Sequence, residues 1–230
     1  EYSKRELRCA LNVVEVIIAT AQEPVWPQAG DLLVHAGIQF LYQKAGDPVG
    51  ASFMCCLAAV ILHCGDETGF IQVIEGISAA AHQAGMPEAD AGALLDAWMD
   101  CWDMLMSIER RRSTCLALCR LVGSGFMPAI SRLAVVVNFV VEVVAEEGEL
   151  EPGPFLGGGP VRAGGPQKAR RKLWWSVYED MPGGLTSYFR LMVEQGRQTI
   201  AAKHGPEAEA AFDETLQQVD PEVMKQLPPI

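Results

Sequence analysis

The stretch AWMDCWDMLMSIERRRSTCLALCRLV, residues 97–122, holds two tryptophans, three cysteines and three consecutive arginines. Trp98 and Trp102 lie four residues apart among leucines and methionines at helical spacing, which is typical of the packing stripe of one helix. A second apolar stripe, with Leu116 and Leu118, follows the arginines. The pattern predicts two helices that pack through these four side chains, with the arginines at the turn between them.

A metal or catalytic site is the competing interpretation of this stretch. Cys115 and Cys119 share one helical face, but no cysteine or histidine pair follows at zinc-type intervals. Free cysteine is most often a small buried residue. The four histidines are scattered, and neither a nucleophile motif nor a phosphate-binding glycine loop is present. We expect no catalytic, cofactor-binding or metal-binding residue and no enzyme.

Two basic runs are candidate partner contacts. They comprise Arg110, Arg111, Arg112 and, further along, Lys168, Arg170, Arg171, Lys172. The first run is either a solvated turn or a contact for an acidic cargo or for a neighbouring loop. The second is compatible with a nuclear localisation signal, a docking strip for an acidic surface, or a solubilising loop segment. Both runs remain candidates at this stage.

Composition limits the class of partner. The formal charge is −11 and the pI about 4.8, a balance that repels nucleic acid and anionic lipid and attracts basic proteins. The longest apolar run, Leu133–Ala145, is interrupted by Asn138 and Glu142 and is shorter than the roughly twenty residues of a bilayer span. We expect a buried helix there and no membrane insertion. Seven cysteines, two of them adjacent, do not suit a disulfide framework, which indicates a reducing compartment.

Prolines and glycines divide the first two thirds of the chain into a row of helices. The predicted helices span about 4–22, 31–46, 48–65, 68–85, 88–106, 110–122 and 127–145. Asp31 is expected to cap the second helix, Pro48 to open the third, Asp66 or Thr68 to cap the fourth, and Gly85 to close it. The first, third and fifth helices begin roughly forty to fifty residues apart, which is the period of HEAT-type repeats.

The sequence therefore predicts an all-α fold: a HEAT/ARM-type helical-repeat solenoid with a small helical cap at the carboxyl end. Each helical pair has apolar residues on more than one face, so it must stack on neighbouring pairs. We predict helical repeats over 1–146, a flexible basic linker rich in Gly and Pro over 147–172, and the helical cap over 173–230. The chain begins at Glu1 inside helical pattern, so we expect it to be a piece of a longer protein.

Residues 94–122, LLDAWMDCWDMLMSIERRRSTCLALCRLV, resemble a segment near the carboxyl end of importin-β (karyopherin-β) family receptors. There, a helix with a Trp leads through a basic turn into a second helix. The chain is most similar to the importin eleven branch, through FIQVIEGISAAAHQAG (70–85), the basic run KARRKL (168–173) and the closing FDETLQQVDPEVMKQL (212–227). The turn motif and the closing segment are the most specific parts of the resemblance.

The resemblance implies a nuclear transport receptor that shuttles between cytoplasm and nucleus and carries protein cargo through the pore. Its expected partners are basic cargo, nucleoporin FG repeats and the small GTPase Ran in its GTP form. Ran binds such receptors mainly through amino-terminal repeats, which this chain lacks. A HEAT-repeat scaffold or regulatory subunit without a transport role is the alternative, because the same repeats would serve it.

Overall fold

The structure, a computed structural model, describes residues 3–42, 48–149 and 184–227. These residues form eleven α-helices and two short 3₁₀ helices, with no strand among them. The α-helices are α1 (Lys4–Thr20), α2 (Gly30–Tyr42), α3 (Pro48–Cys64), α4 (Thr68–Gln83), α5 (Ala91–Asp100), α6 (Ile108–Gly123), α7 (Met127–Ile130), α8 (Leu133–Glu149), α9 (Gly184–His204), α10 (Pro206–Gln217) and α11 (Pro221–Gln226). The 3₁₀ helices are Trp26–Ala29 and Trp102–Met104. The predicted all-α class is confirmed.

Local chemistry sets several of the helix ends. Pro48 opens α3 as predicted, because proline needs no backbone N–H partner in a first turn. At the start of α4 the N-cap position is Glu67, whose side chain makes no capping bond, so neither Asp66 nor Thr68 occupies it as predicted. The Asp66 carboxylate nevertheless accepts a hydrogen bond of 2.9 Å from the Thr68 N–H in the first turn. Gly85 adopts a φ of +67°, and the next N–H, that of Met86, donates to the Ala81 carbonyl at 2.9 Å. A left-handed residue of this kind ends a helix, as predicted for this position.

Three predicted boundaries are wrong. The 3₁₀ helix Trp26–Ala29 runs directly into α2, so Asp31 lies in the first turn instead of capping it. The predicted helix 88–106 ends at Asp100 and is followed by the 3₁₀ turn Trp102–Met104. The predicted helix 127–145 is divided into α7 and α8, and there the Arg132 side chain donates to the carbonyls of Pro128 (2.8 Å) and Gly92 (3.2 Å). The local apolar pattern would continue through the last two of these breaks, so it did not predict them.

The helices form two layers. Helices α1, α3, α6 and α9 lie side by side in one layer, in that order, and α2, α4 and α5 adjoin one another in the other. Helix α8 packs on α6 and α9 and also contacts α10 and α11. The predicted succession of hairpins needs a correction here, because α1 packs mainly on α3 and little on α2, and α2 packs on both α3 and α4.

The core runs along α3 and α6, which have neighbours on several sides. Every residue of α3 from Val49 to Leu62 is buried, and so is α6 from Arg112 to Cys119. A helix enclosed in this way has no solvent face, which explains why its sequence shows apolar residues all round. The solenoid is thus stabilised by burial between repeats, as expected for a stacked array.

The carboxyl-terminal helices continue the array. Helix α9 packs on α6 and α8 and pairs with α10. Helix α8 continues to Glu149, three residues beyond the predicted end of the repeats at 146. Residues 150–183, which include the rest of the predicted linker and the start of the predicted cap, lie outside the described residues. The proposed division into repeats, linker and cap stays a prediction.

Candidate functional site

Residues 97–122 form the end of α5, a 3₁₀ turn and most of α6. Asp90 caps α5 by accepting the Ala93 N–H at 2.7 Å, and Ser107 caps α6 by accepting the Arg110 N–H at 3.3 Å. Between them lies the α5–α6 junction, which we define as residues Cys101–Ser107. It is the part of the stretch that the sequence did not predict.

The two tryptophans are buried but contact different helices. Trp98 is fully buried in α5, and its ring lies 6.2 Å from that of Phe70 in α4. Trp102, in the junction, stacks on Phe139 of α8 with ring centres 3.9 Å apart and planes 5° apart. Its indole N–H donates to the Glu142 carboxylate at 2.7 Å. The tryptophans therefore join α5 to α4 and the junction to α8. Their predicted packing on Leu116 and Leu118 of α6 stays a prediction.

The cysteines of this region are buried thiols. None of the seven cysteines, all of which lie among the described residues, forms a disulfide, and the same residues contain no group of three His, Cys, Asp or Glu side chains placed to hold a metal ion. Burial, and secondarily the negative charge of Asp100, raises the pKa of the Cys101 thiol. A raised pKa disfavours the thiolate, which is the nucleophilic form. Leu116 and Leu118 are fully buried beside Cys115 and Cys119 in α6.

A family model described as importin-11-like, TPR repeats, matches residues 1–230 of the chain. This chain belongs to the importin-11-like family. The family is one of nuclear transport receptors and not of enzymes, so the resemblance read from residues 94–122 is confirmed at that level. Neither the comparison with curated proteins nor that with solved structures gave a match.

The family description names TPR repeats, whereas the spacing predicted HEAT-type repeats. Both are stacked pairs of helices, and they differ mainly in period. In this importin-11-like chain α1, α3 and α5 begin at Lys4, Pro48 and Ala91, which are 44 and 43 residues apart. That interval is longer than the roughly 34 residues of a TPR unit. The helical-repeat solenoid itself is confirmed.

The three arginines of the importin-11-like chain lie in the first turns of α6 and not in a connecting turn, so that prediction is wrong. Arg110 donates to Asn12 of α1 at 3.1 Å. Arg111 forms an ion pair with Glu146 of α8 and donates to the Leu105 carbonyl at 2.9 Å. Arg112 is buried. A partner that used Arg110 or Arg111 would compete with these internal contacts, and Arg111 in particular ties the junction to α8.

Sequence reasoning missed the acidic partners of this region. Asp96 of α5 accepts two hydrogen bonds from Arg132, at 2.6 and 2.7 Å. This hydrogen bonding to Arg132 is the main cause that lowers the pKa of the Asp96 carboxyl. One acidic partner could have been found from the sequence. Glu142 interrupts the apolar run of α8, which is a signal that its carboxylate has a polar partner, and the structure shows that it accepts the Trp102 N–H. The second basic run, Lys168 to Lys172, lies outside the described residues.

Among residues 3–42, 48–149 and 184–227, none of the helices has the length and apolar character that a bilayer crossing requires.

Proposed function

We propose that this chain supplies a cargo-binding part of a nuclear transport receptor that carries basic proteins into the nucleus in a Ran-dependent cycle. The observation that carries the proposal is the family match over residues 1–230. A stacked array of helices offers the extended surface that such proteins use for binding. The receptor would shuttle between cytoplasm and nucleus and engage nucleoporin FG repeats on the way.

The distribution of charge supports a basic cargo. Between Cys9 and Glu109 the only lysine or arginine is Lys44, whereas the same stretch holds thirteen aspartates and glutamates. Several of these acids are exposed on α2, α4, α5 and the segments that follow them: Asp31, Glu75, Glu88, Asp96, Asp100 and Asp103. We call this set the acidic surface.

Most of the acidic surface is uncompensated. Among the described residues Asp96 pairs with Arg132, but Glu75, Asp100 and Asp103 form no ion pair. Clustered charge of one sign attracts an oppositely charged partner over long range and raises its association rate. This attraction is screened over about 10 Å at 0.1 M salt, so binding should weaken as salt rises.

Ran release is the part of the proposal that needs a longer chain. By the resemblance, the main Ran contacts lie in amino-terminal repeats outside this sequence. Extract should therefore be passed over the full-length parent with and without excess Ran locked in its GTP form. Proteins released specifically by Ran-GTP support an import receptor. Partners that stay bound, with no Ran retained, contradict it and favour a helical-repeat scaffold.

The contribution of this chain is tested with the same released proteins. The double variant Asp100→Lys/Asp103→Lys reverses two charges of the acidic surface. Its matched control, Glu207→Lys/Glu214→Lys, makes the same change on exposed residues of α10. The first variant should weaken cargo binding at low salt and flatten its salt dependence, and the control should retain both. Equal effects of the two variants would show that only net charge matters.

A further inference from the structure

Met106 is the most exposed large apolar side chain among the described residues. Its exposed fraction is 88%, against 36–58% for the six other exposed large apolar side chains, while its neighbour Leu105 is fully buried. Single exposed apolar residues are common on protein surfaces, so exposure alone carries little weight. What distinguishes Met106 is that it lies on a braced backbone next to exposed acidic residues.

The α5–α6 junction is braced from both sides. Trp102 stacks on Phe139 and donates to Glu142, which ties the start of the junction to α8. Arg111 donates to the Leu105 carbonyl and pairs with Glu146, which ties its end to α8 as well. The Met106 N–H donates to the Met104 carbonyl at 3.0 Å. The backbone under Met106 is therefore preorganised, and a partner that binds it loses little loop entropy.

Acidic side chains accompany this apolar tip. Asp100 ends α5 and Asp103 lies in the 3₁₀ turn, and both are exposed members of the acidic surface. The charge excludes several occupants. Nucleic acid and anionic lipid are repelled, and so is a second copy of a chain whose formal charge is −11. A protein with basic residues around an apolar pocket is complementary to both features.

We propose that the α5–α6 junction is a docking surface for a basic protein, in which Met106 enters an apolar pocket of the partner and Asp100 and Asp103 pair with basic side chains beside that pocket. This inference rests on the proposed function, from which it takes the basic partner. It adds the location of the contact and the requirement for an apolar pocket. Methionine suits such a role because its flexible thioether adapts to irregular surfaces.

Two fluorescent peptides of equal length and equal arginine content test the proposal, one with leucines between its arginines and one with serines. Their affinities for the purified chain are measured by fluorescence anisotropy at several salt concentrations. The leucine peptide should bind about five- to tenfold more tightly, since burying a methionine against apolar groups gives an advantage of at least this order. Met106→Ser should abolish that advantage and leave the serine peptide unaffected.

Leu191→Ser is the matched control, because Leu191 is 46% exposed on α9, a helix that carries none of the acidic surface. Circular dichroism should show both variants folded, since neither residue is buried. A leucine advantage that persists in Met106→Ser, or that disappears equally in Leu191→Ser, overturns the docking surface. Salt-sensitive binding of both peptides without dependence on Met106 would overturn it and leave the basic partner standing. If neither peptide binds at low salt, the docking surface and the basic partner both fail, whereas Ran-dependent release is decided by its own experiment.

Discussion

The contact between α6 and α9 depends on the absence of a side chain at Gly196. A Cβ atom placed there would lie 2.4 Å from the Val122 carbonyl oxygen and 3.2 Å from its carbon. Both are backbone atoms, so no rotamer change relieves the overlap. Gly123 of α6 is also close, with its Cα 3.7 Å from the same point. In Gly196→Ala the two helices must therefore separate.

The cost of Gly196→Ala follows from two opposing effects. Restoring a 3.0 Å contact requires a shift of at least 0.6 Å, the difference from 2.4 Å. Overpacking of this kind typically costs about 1–3 kcal/mol. Alanine in a helix interior recovers up to about 1 kcal/mol relative to glycine. We expect a net loss of about 1–2 kcal/mol in the free energy of unfolding, which corresponds to a fall of about 2–8 °C in Tm for a chain of this size.

Gly30→Ala is the matched control. Gly30 also lies in a helix, the first residue of α2, but a Cβ atom there would meet nothing within 4 Å. That variant should be neutral or slightly stabilising, because alanine restricts the unfolded chain. Urea and thermal unfolding followed by circular dichroism at 222 nm compare the two. If Gly196→Ala proves as stable as Gly30→Ala, the close approach of α6 and α9 is not what the structure indicates.

Three further predictions concern the same architecture. Trp102→Phe should keep the stacking but lose the hydrogen bond to Glu142, at a cost of about 1 kcal/mol, whereas Trp102→Ala should cost about 3–5 kcal/mol; equal losses in urea unfolding would contradict this. The depressed pKa of Asp96 means that its pair with Arg132 stabilises the fold above the ordinary carboxyl pKa of about 4 and that this stabilisation is lost as pH falls through the lower folded pKa, so Asp96→Asn should be destabilising by up to about 1 kcal/mol at pH 7 and progressively less so in acid. Cys9 is the one exposed cysteine, so it should react fastest with a thiol reagent in the native state, and Cys9→Ser should remove that phase.

Helix starts and stops were the most predictable part of the fold. Pro48 opens a helix and Gly85 ends one, as the sequence predicted, and Pro206 and Pro221 open α10 and α11 by the same local rule. These signals are local, since they depend on the backbone of the residue itself and of its immediate neighbours. The valine-rich run at 133–145 was also predicted as helix, although valine favours strands. Its neighbours are helical, and packing overrides that preference.

The junction and the start of α6 were not predictable, because their contacts join residues that are far apart in the chain. Arg111 meets Glu146, and Arg110 meets Asn12, 98 positions earlier. The same three arginines read as a solvated turn when only adjacent residues are considered. Nothing in the local pattern of 88–106 indicates that the helix stops at Asp100. Just after this break Trp102 stacks on Phe139 of α8, a residue that the local pattern does not include.

The sequence by itself determined which segments are helical, that the helices must stack, and that the chain resembles importin-β family receptors. Only the tertiary structure decided that α1 packs mainly on α3, that α9 adjoins α6, and that Met106 is exposed while Leu105 is buried. The physical reason is that apolar burial is non-directional, so an apolar helix is compatible with several neighbours. The choice among them is made by shape and pairing, as at Gly196 against Val122 and Trp102 against Phe139.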